Sequence, residues 1–285
     1  MDKTRLCVVD GTFELFRAFY GTPSRSSSAG KEVAAAISLG RSLKALTKTG
    51  QFTHFAVAFD TVIESFRNDL FAGYKTGEGI DPVLFAQFPL AERVAAALGL
   101  TVFSMIEFEA DDALASAAAQ FAEREDVESV VIASPDKDLM QCVRPGVTTW
   151  DRIRDKHYDE SGVVEKMGVS PQSIPDYLAL VGDTADGIPG VPRWGARSAA
   201  VVLARYGSLE NIPRRASEWD ISVRGATALV EQLIENEEQV LLYRQLATLR
   251  QDVSLGITYE DLKYTGPNAS LLEQLNTELG AAHFS

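Results

Sequence analysis

The sequence has few of the residues on which histidine-based enzymes, zinc sites and disulfide scaffolds are built. Its 285 residues include three histidines and two cysteines. His54, His157 and His283 lie far apart and belong to no motif, which disfavours a histidine-based triad or a zinc site. Cys7 and Cys142 each stand among apolar residues, so both are expected to be reduced core residues.

Long apolar runs and positive charge are also scarce. No apolar run approaches the roughly 20 residues of a membrane span, and residues 1–10 resemble a strand and not a signal peptide. We therefore expect a cytoplasmic protein with no membrane partner. The net charge of −13, from 27 basic and 40 acidic residues, argues by itself against a polyanionic partner. Bound cations would offset part of that excess if the carboxylates held metal ions.

The acidic residues are concentrated where predicted strands end. Apolar runs at 6–9, 53–59, 101–106 and 129–133 alternate with helical patterns, and 147–150 adds a further short strand. This alternation predicts an α/β fold with a doubly wound, mostly parallel sheet, whose sites lie outside the carboxyl ends of the strands. Four successive predicted strands end in carboxylates, namely Asp10, Asp60, the group Glu109, Asp111 and Asp112, and the pair Asp136 and Asp138.

The group at 109–112 is the densest of these. Its carboxylates precede a predicted helix at 113–124, and like charges so close raise one another's pKa unless a cation neutralises them. An alternative is that acidic residues simply suit the positive N-terminus of a helix. Recurrence at four strands in succession favours a metal site.

From about Tyr158 onward the pattern is helical, and one segment at 182–198 stands out. Asp183 and Asp186 are three residues apart, which predicts that one helical turn presents both on the same face. The Gly- and Pro-rich stretch that follows precedes a predicted helix at 199–206, and backbone amides beside a helix N-terminus suit a phosphate. A plain linker between two helices is the alternative.

These motifs resemble those of the 5′-nuclease domain of bacterial DNA polymerase I and its stand-alone relatives in the flap endonuclease superfamily. The resemblance extends from about Leu6 to Leu262. With no polymerase or proofreading domain in the sequence, a free-standing member is expected. The motifs that carry the resemblance are Asp10, Asp60, Glu109-Ala110-Asp111-Asp112, Asp136-Lys137-Asp138, Gly182-Asp183 with Asp186-Gly187-Ile188-Pro189-Gly190, Arg224-Gly225-Ala226 and Gln245-Leu246-Ala247-Thr248.

The resemblance implies a PIN-like α/β nuclease domain at 1–157 with a helical arch at about 61–90. It also implies a helical DNA-binding region at 158–262, with a helix-hairpin-helix (H3TH) at about 177–206, and a C-terminal extension at 263–285.

The resemblance further implies two divalent ions at the scissile phosphodiester, usually Mg²⁺ with Mn²⁺ as a substitute. Hard oxygen ligands suit these ions, and a pair ~4 Å apart stabilises both attacking and leaving oxygens. Glu109, Asp111, Asp112 and Asp136 would hold the first ion; Asp136, Asp138, Asp183 and Asp186 would serve the second; Asp10 and Asp60 would act directly or through water.

The same resemblance assigns the contacts to DNA. Lys75 would contact the scissile phosphate and Arg17 a further phosphate, and both are counted with Asp136 as catalytic. Tyr74 would stack beside Lys75. The remaining predicted DNA contacts are Arg67 and the hairpin residues Gly190, Val191, Arg193, Gly195 and Arg197, where a potassium ion is also expected.

Four positions depart from the family pattern. Glu78 replaces a basic residue, Arg193-Trp194-Gly195 replaces Gly-apolar-Gly, Gly187 replaces Asn, and Pro135 replaces Gly. None of them removes a predicted metal ligand, so they are expected to affect substrate binding more than catalysis.

The expected activity is metal-dependent hydrolysis of DNA phosphodiesters at 5′ ends, flaps, nicks or junctions by a monomer. Metal-activated water would attack in line, with Lys75 and the ions stabilising the developing charge. Two alternatives stay open at this point. One is a catalytically weakened duplex-binding protein of the same fold, and the other is a PIN-like ribonuclease or an enzyme that cleaves RNA in RNA–DNA hybrids.

Overall fold

The structure is a computed structural model that describes residues 4–284. Contacts divide the chain into two compact units. Unit 1 comprises the chain up to Ser65, the segment 77–134 and the chain from Arg250 onward, and unit 2 comprises 66–76 and 135–249. The domain boundaries expected from the sequence remain a prediction, and their outermost residues, 1–3 and 285, lie outside the described part of the chain.

The strands occur where the apolar runs predicted them. In unit 1 they pair in parallel in the order β3-β2-β1-β4, and in unit 2 β5 and β6 form an antiparallel pair. The α/β class with a mostly parallel sheet is therefore confirmed, while β6 was not foreseen. The strands are β1 Thr4–Asp10, β2 His54–Asp60, β3 Thr101–Met105, β4 Val127–Ala133, β5 Val147–Asp151 and β6 Lys156–Tyr158.

Helices cover the sheet of unit 1 and make up most of unit 2, where α3 and α7 to α11 lie. Among residues 4–284, none of the helices combines the length and apolar character needed to cross a bilayer. The helices are α1 Gly11–Gly21, α2 Ala34–Thr47, α3 Phe66–Leu70, α4 Pro82–Phe85, α5 Phe88–Ala97, α6 Ala110–Phe121, α7 Glu160–Met167, α8 Ile174–Val181, α9 Ala196–Tyr206, α10 Ala226–Glu235, α11 Glu237–Ala247 and α12 Ala269–Leu279.

The region expected to form an arch, 61–90, contains the short helices α3 and α4 and the start of α5. Asp81 caps α4, since its carboxylate accepts a hydrogen bond from the amide of Val83 at 2.7 Å. Residues 66–76 of this region belong to unit 2. The arch itself remains a prediction.

Continuous apolar strands make the core of unit 1. The residues of β1 and β2 are almost all buried, which is typical of parallel strands covered by helices on both faces. Gly11 lets α1 begin immediately after β1, because a Cβ at this position would lie 2.6 Å from the ring of Phe59. Asp10 is thereby held at the junction of strand and helix.

The core of unit 2 is built around two tryptophans. Trp194 and Trp219 pack with their ring centroids 6.4 Å apart, among buried residues from α8 to α11. The indole N–H of Trp194 donates to the carbonyl oxygen of Leu229 at 3.0 Å. Trp194, which belongs to the segment 193–195 that departs from the family pattern, therefore anchors the hairpin in the core of unit 2.

Arg67 is a core residue of unit 2, which disfavours its predicted contact with DNA. Its side chain is 1% exposed. The guanidinium donates to the carbonyl oxygens of Leu246 and Thr248, at 2.8 and 3.1 Å. These bonds join α3 to the end of α11, where the carbonyl groups have no partner in their own helix.

Replacing Arg67 with methionine should destabilise the protein by about 3 kcal/mol, because buried carbonyl groups would lose their donors. Urea denaturation of the variant would measure the change as a lower midpoint. Arg215→Met is the matched control, because the Arg215 side chain is 79% exposed and its loss should change little. An unchanged midpoint for Arg67→Met would contradict the structural role.

Candidate metal and nucleic-acid site

In unit 1 the carboxylates at the strand ends are fixed by backbone and hydroxyl donors. Asp10 is buried and accepts from the amide of Phe13 and the hydroxyl of Ser134, both at 2.8 Å. Asp60 accepts from the amide of Ala110 at 2.7 Å. The last bond links the end of β2 directly to the start of α6, so these two predicted ligands stand on rigid elements.

The dense acidic group forms the N-terminus of α6, which begins three residues earlier than predicted. Glu109 and Asp112 form a capping box, in which the amide of Glu109 donates to Asp112 Oδ2 at 3.0 Å. Asp112 is fully buried, and its Oδ1 accepts from the amide of Arg250 at 2.9 Å. Ser65 also donates to Glu109, at 2.7 Å. Glu109 and Asp112 therefore cap the N-terminus of α6, as the alternative interpretation expected. Ligation of a metal ion by Glu109, Asp111 and Asp112 remains a prediction.

In unit 2 three predicted ligands come together. Carboxylate oxygens of Asp138, Asp183 and Asp186 all lie within 4.8 Å of one another. Asp136 lies two residues before Asp138, and its Oδ1 accepts from the amide of Asp138 at 2.8 Å. We name Asp138, Asp183 and Asp186 the acidic triad.

The acidic triad fits a divalent cation. Asp138 is buried, and within residues 4–284 its Oδ1 accepts no hydrogen bond and has the Lys137 ammonium as an ion-pair partner at 3.2 Å. Burial and the neighbouring carboxylate of Asp136 hold the pKa of Asp138 well above its usual value. A buried carboxylate oxygen without a hydrogen bond is costly in isolation, whereas oxygen donors grouped at this spacing suit Mg²⁺ or Mn²⁺.

The backbone that presents Asp183 and Asp186 is a tight turn, so the predicted helical turn is wrong. Gly182, with φ of 85°, ends α8. Asp183 and Ile188 then exchange backbone hydrogen bonds of 2.8 Å in both directions. The amide of Ala185 donates to the Asp183 carboxylate at 3.0 Å, and this turn brings both aspartates to Asp138.

Two lysines reach the acidic triad. The ammonium of Lys137 pairs with Asp183 and lies 3.2 Å from Asp138 Oδ1, and that of Lys75 lies 3.0 Å from Asp186 Oδ1. Burial alone would lower the pKa of Lys137, but the carboxylates of Asp138 and Asp183 raise it above its ordinary value. Lys137 was not foreseen as a site residue, although its position between Asp136 and Asp138 was a visible signal.

Steric crowding within unit 2 requires glycine at position 187. Its φ is 74°, and a Cβ there would collide with the carbonyl oxygen of Gly73. The amide of Lys75 donates to the carbonyl oxygen of Asp186 at 3.0 Å. Gly187 therefore lets the chain segment that carries Lys75 lie directly against the turn.

Tyr74 does not stand where it was expected. Its ring is buried in the core of unit 2, and the Lys75 ammonium lies 5.5 Å from its centroid. Burial of the ring in this core disfavours the predicted stacking on DNA. Tyr74 instead anchors the segment that carries Lys75.

The hairpin residues divide into internal and exposed ones. Gly190, at φ of 74°, packs tightly, since a Cβ would lie 2.6 Å from the amide nitrogen of Gly182. Val191 is buried and its amide donates to the carbonyl oxygen of Leu180 at 2.8 Å. The burial of Val191 disfavours its predicted contact with DNA, and the tight packing of Gly190 serves the turn itself.

Arginines gather at the start of α9. Arg193, Arg197 and Arg224 line one open cleft with Gly195, and the first two are exposed. Arg193 adopts a left-handed backbone with φ of 70°, the conformation that favours glycine. Arg193 thus adopts a conformation that glycine reaches easily, and it adds a positive charge to the hairpin.

Arg17 lies half-exposed on α1 and pairs with the buried carboxylate of Glu14. Its guanidinium is also 3.4 Å from the hydroxyl of Ser42. Its contact with phosphate remains a prediction.

A parallel α/β unit with carboxylates at its strand ends and a helical unit with an acidic triad and a hairpin define a class of metal-dependent nucleases. Residues 5–168 match the family model of the 5′-3′ exonuclease N-terminal resolvase-like domain. Residues 169–270 match the model of the 5′-3′ exonuclease C-terminal SAM fold. The chain belongs to the 5′-3′ exonuclease family.

Curated relatives agree with this assignment. The chain is 32% identical to a 5′-3′ exonuclease of Aquifex aeolicus, over 96% of this chain and 91% of that protein. It is 35% identical to DNA polymerase I of Pseudomonas aeruginosa over 98% of this chain, but spans 31% of that protein. The chain thus spans about a third of the polymerase relatives and nearly all of the Aquifex one.

Solved structures share the fold at low sequence identity. The T5 5′-exonuclease with bound zinc ions matches with a TM-score of 0.70 and 19% identity, over 96% of this chain and 98% of that one. The catalytic core of Rad2 in complex with DNA substrate matches with a TM-score of 0.61 and 15% identity, over 99% of this chain and 90% of that one.

Proposed function

We propose that the chain is a divalent-metal-dependent nuclease that hydrolyses DNA phosphodiesters at 5′ ends, flaps, nicks or junctions. The observation that carries the proposal is the acidic triad, whose oxygens lie within 4.8 Å of one another and include those of the buried Asp138. Carboxylates this close repel one another, and cations beside them relieve that repulsion. Family membership supplies the reaction class.

The metal ions are proposed to be Mg²⁺, with Mn²⁺ as a substitute, because the donors are all carboxylate oxygens. When bound, such ions supply an activated water and charge stabilisation at the phosphate. The protein's contribution is to hold the carboxylates rigidly. Asp10 and Asp60 are fixed by backbone amides in unit 1, and the acidic triad is fixed by a hydrogen-bonded turn in unit 2.

DNA is the proposed substrate on two grounds. Rad2 and the T5 flap endonuclease, which share this fold, have been solved with DNA. In this chain, Arg193 and Arg197 are exposed beside the start of α9 in an otherwise acidic sequence. Guanidinium groups and helix N-termini bind phosphates without reading sequence.

The test is to incubate the protein with 5′-flap, nicked, single-stranded and RNA–DNA hybrid substrates, with and without Mg²⁺. We expect metal-dependent cleavage of the flap and nicked DNA by a monomer. Cleavage of the hybrid in preference to DNA would move the assignment to a ribonuclease. Binding of duplex without cleavage in Mg²⁺ or Mn²⁺ would support the weakened DNA-binding alternative.

Removing Arg197 should reduce the salt dependence of duplex binding. Affinity falls with salt by a log–log slope of about −0.9 per phosphate neutralised, so Arg197→Ala should flatten the slope by about one unit for any duplex sequence. Fluorescence anisotropy on a nicked duplex, titrated at several salt concentrations, gives the slope.

Arg124→Ala is the control for Arg197, since Arg124 lies in unit 1 and pairs with Asp126 at 2.8 Å. Its slope should equal that of the wild type. An unchanged slope for Arg197→Ala would exclude the hairpin as the duplex anchor. The replacement of the family's Gly-apolar-Gly by Arg193-Trp194-Gly195 would then explain why the hairpin does not bind the duplex.

A further inference from the structure

We propose that Lys137 is a built-in counter-ion of the acidic triad, which holds Asp138 and Asp183 together without metal and competes with a divalent cation for their oxygens. This inference rests on the proposed metal site and adds a residue that tunes its affinity. Lys137 is thus a positioning residue, separate from the groups expected to contact DNA.

The geometry places the ammonium at the oxygens that a cation would use. Lys137 pairs with Asp183, and its Nζ lies 3.2 Å from Asp138 Oδ1, an oxygen with no hydrogen-bond partner in the described chain. Divalent ions bind carboxylate oxygens at about 2.0–2.6 Å. An ion on these oxygens would therefore stand only a few ångströms from the ammonium, where two positive charges repel strongly.

Lys137 has the means to withdraw when a metal ion binds. Its side chain is 38% exposed, whereas that of Asp138 is 9% exposed. A lysine stem has four carbons and many rotamers, so its ammonium can move into water while the carboxylates stay in place. The backbone on either side is held, since the amide of Asp138 donates to Asp136 Oδ1 at 2.8 Å.

Lys75, the other lysine of this region, is held differently. Its own amide donates to the carbonyl oxygen of Asp186, and its carbonyl oxygen accepts from the side-chain amide of Asn68 at 2.9 Å. Lys75 is also the residue assigned to the scissile phosphate. Lys75 therefore pairs with Asp186 from a segment fixed against the turn and is assigned to substrate, whereas Lys137 pairs with Asp138 and Asp183.

The test compares Mn²⁺ binding by the wild type and Lys137→Met, by isothermal titration without DNA. Removing the competing charge should tighten Mn²⁺ binding at least tenfold. Thermal unfolding in EDTA should show a lower Tm for Lys137→Met, and the gain in Tm on adding Mn²⁺ should exceed that of the wild type. Neither readout depends on nuclease activity.

Two further variants separate this role from general charge and packing effects. Lys156→Met removes an exposed lysine of β6, whose ammonium lies 5.0 Å from the ring of Tyr158, and should leave Mn²⁺ affinity close to that of the wild type. Lys137→Gln is smaller and polar and should tighten binding as Lys137→Met does, which keeps the test valid if the methionine variant folds poorly.

Equal or weaker Mn²⁺ binding by both Lys137 variants, with a wild type that binds Mn²⁺, would overturn this inference and leave the proposed nuclease site standing. Equal tightening by Lys156→Met would overturn it as well, because the effect would then come from net charge. A wild type that binds no Mn²⁺ would overturn the metal site and the inference together.

Discussion

Alanine in place of Asp136 is expected to reduce cleavage by at least about a thousandfold while duplex binding survives. Asp136 is exposed beside the buried Asp138, and its carboxylate accepts the amide that fixes the following turn. Among the predicted ligands it is the one assigned to both ions, so its loss removes several kcal/mol of charge stabilisation at the phosphate.

Single-turnover cleavage of a 5′-flap substrate in saturating Mg²⁺ measures this effect, and an electrophoretic shift in Ca²⁺ measures binding. Asp159→Ala is the matched control, because Asp159 caps α7 and its side chain bonds to Gly162. The control should cleave at the wild-type rate after allowance for stability. Cleavage by Asp136→Ala at the wild-type rate would contradict the two-metal mechanism.

Replacing Lys75 with alanine should slow single-turnover cleavage about a hundredfold and change substrate affinity much less. The Lys75 ammonium lies 3.0 Å from Asp186 Oδ1, so it stands at the acidic triad. A group that stabilises charge developing in the transition state affects the rate more than ground-state binding.

The two quantities are separated by measuring the cleavage rate at saturating enzyme and the dissociation constant in Ca²⁺. Lys75→Arg preserves the charge and should recover part of the rate. The Mg²⁺ concentration must be saturating for each variant, because removal of Lys75 also changes the charge around Asp186. A variant that lost affinity and kept its rate would make Lys75 a binding contact only.

The sequence predicted the strands and their carboxylates because both are local signals. A continuous apolar run such as that of β1 predicts a buried parallel strand, and the residue that follows it lies at the edge where sites form. Asp10 and Asp60 were located in this way. Helix ends were less well predicted, since α6 begins at Ala110 and takes Asp111 into its first turn.

The residues that sequence reasoning misplaced depend on contacts between distant parts of the chain. Arg67 bonds to Leu246, 179 residues away, and nothing near Arg67 in sequence indicates that partner. Tyr74 is buried by helices that lie much later in the chain. Lys137 required knowledge that Asp183 folds back onto it. A charged or aromatic residue in a polar segment therefore resembles a ligand contact until its tertiary partner is known.

The turn at 183–188 shows a different limit. A spacing of three residues suits a helix, but Gly182 and Gly187 both adopt left-handed backbone, which ends α8 and closes a tight turn. Both glycines are visible in the sequence, so the turn could have been predicted from them. The convergence of Asp183 and Asp186 was foreseen, whereas the backbone that produces it was not.

The most direct test of the central claim is the polarity of DNA cleavage in the presence of Mg²⁺. A nicked duplex is labelled in one preparation at the 5′ end of the nick and in another at the 3′ end, and the products are resolved over time. The account predicts early release of short labelled fragments from the 5′ end only, abolished by EDTA. Release from the 3′ end alone, or cleavage that continues in EDTA, would contradict it.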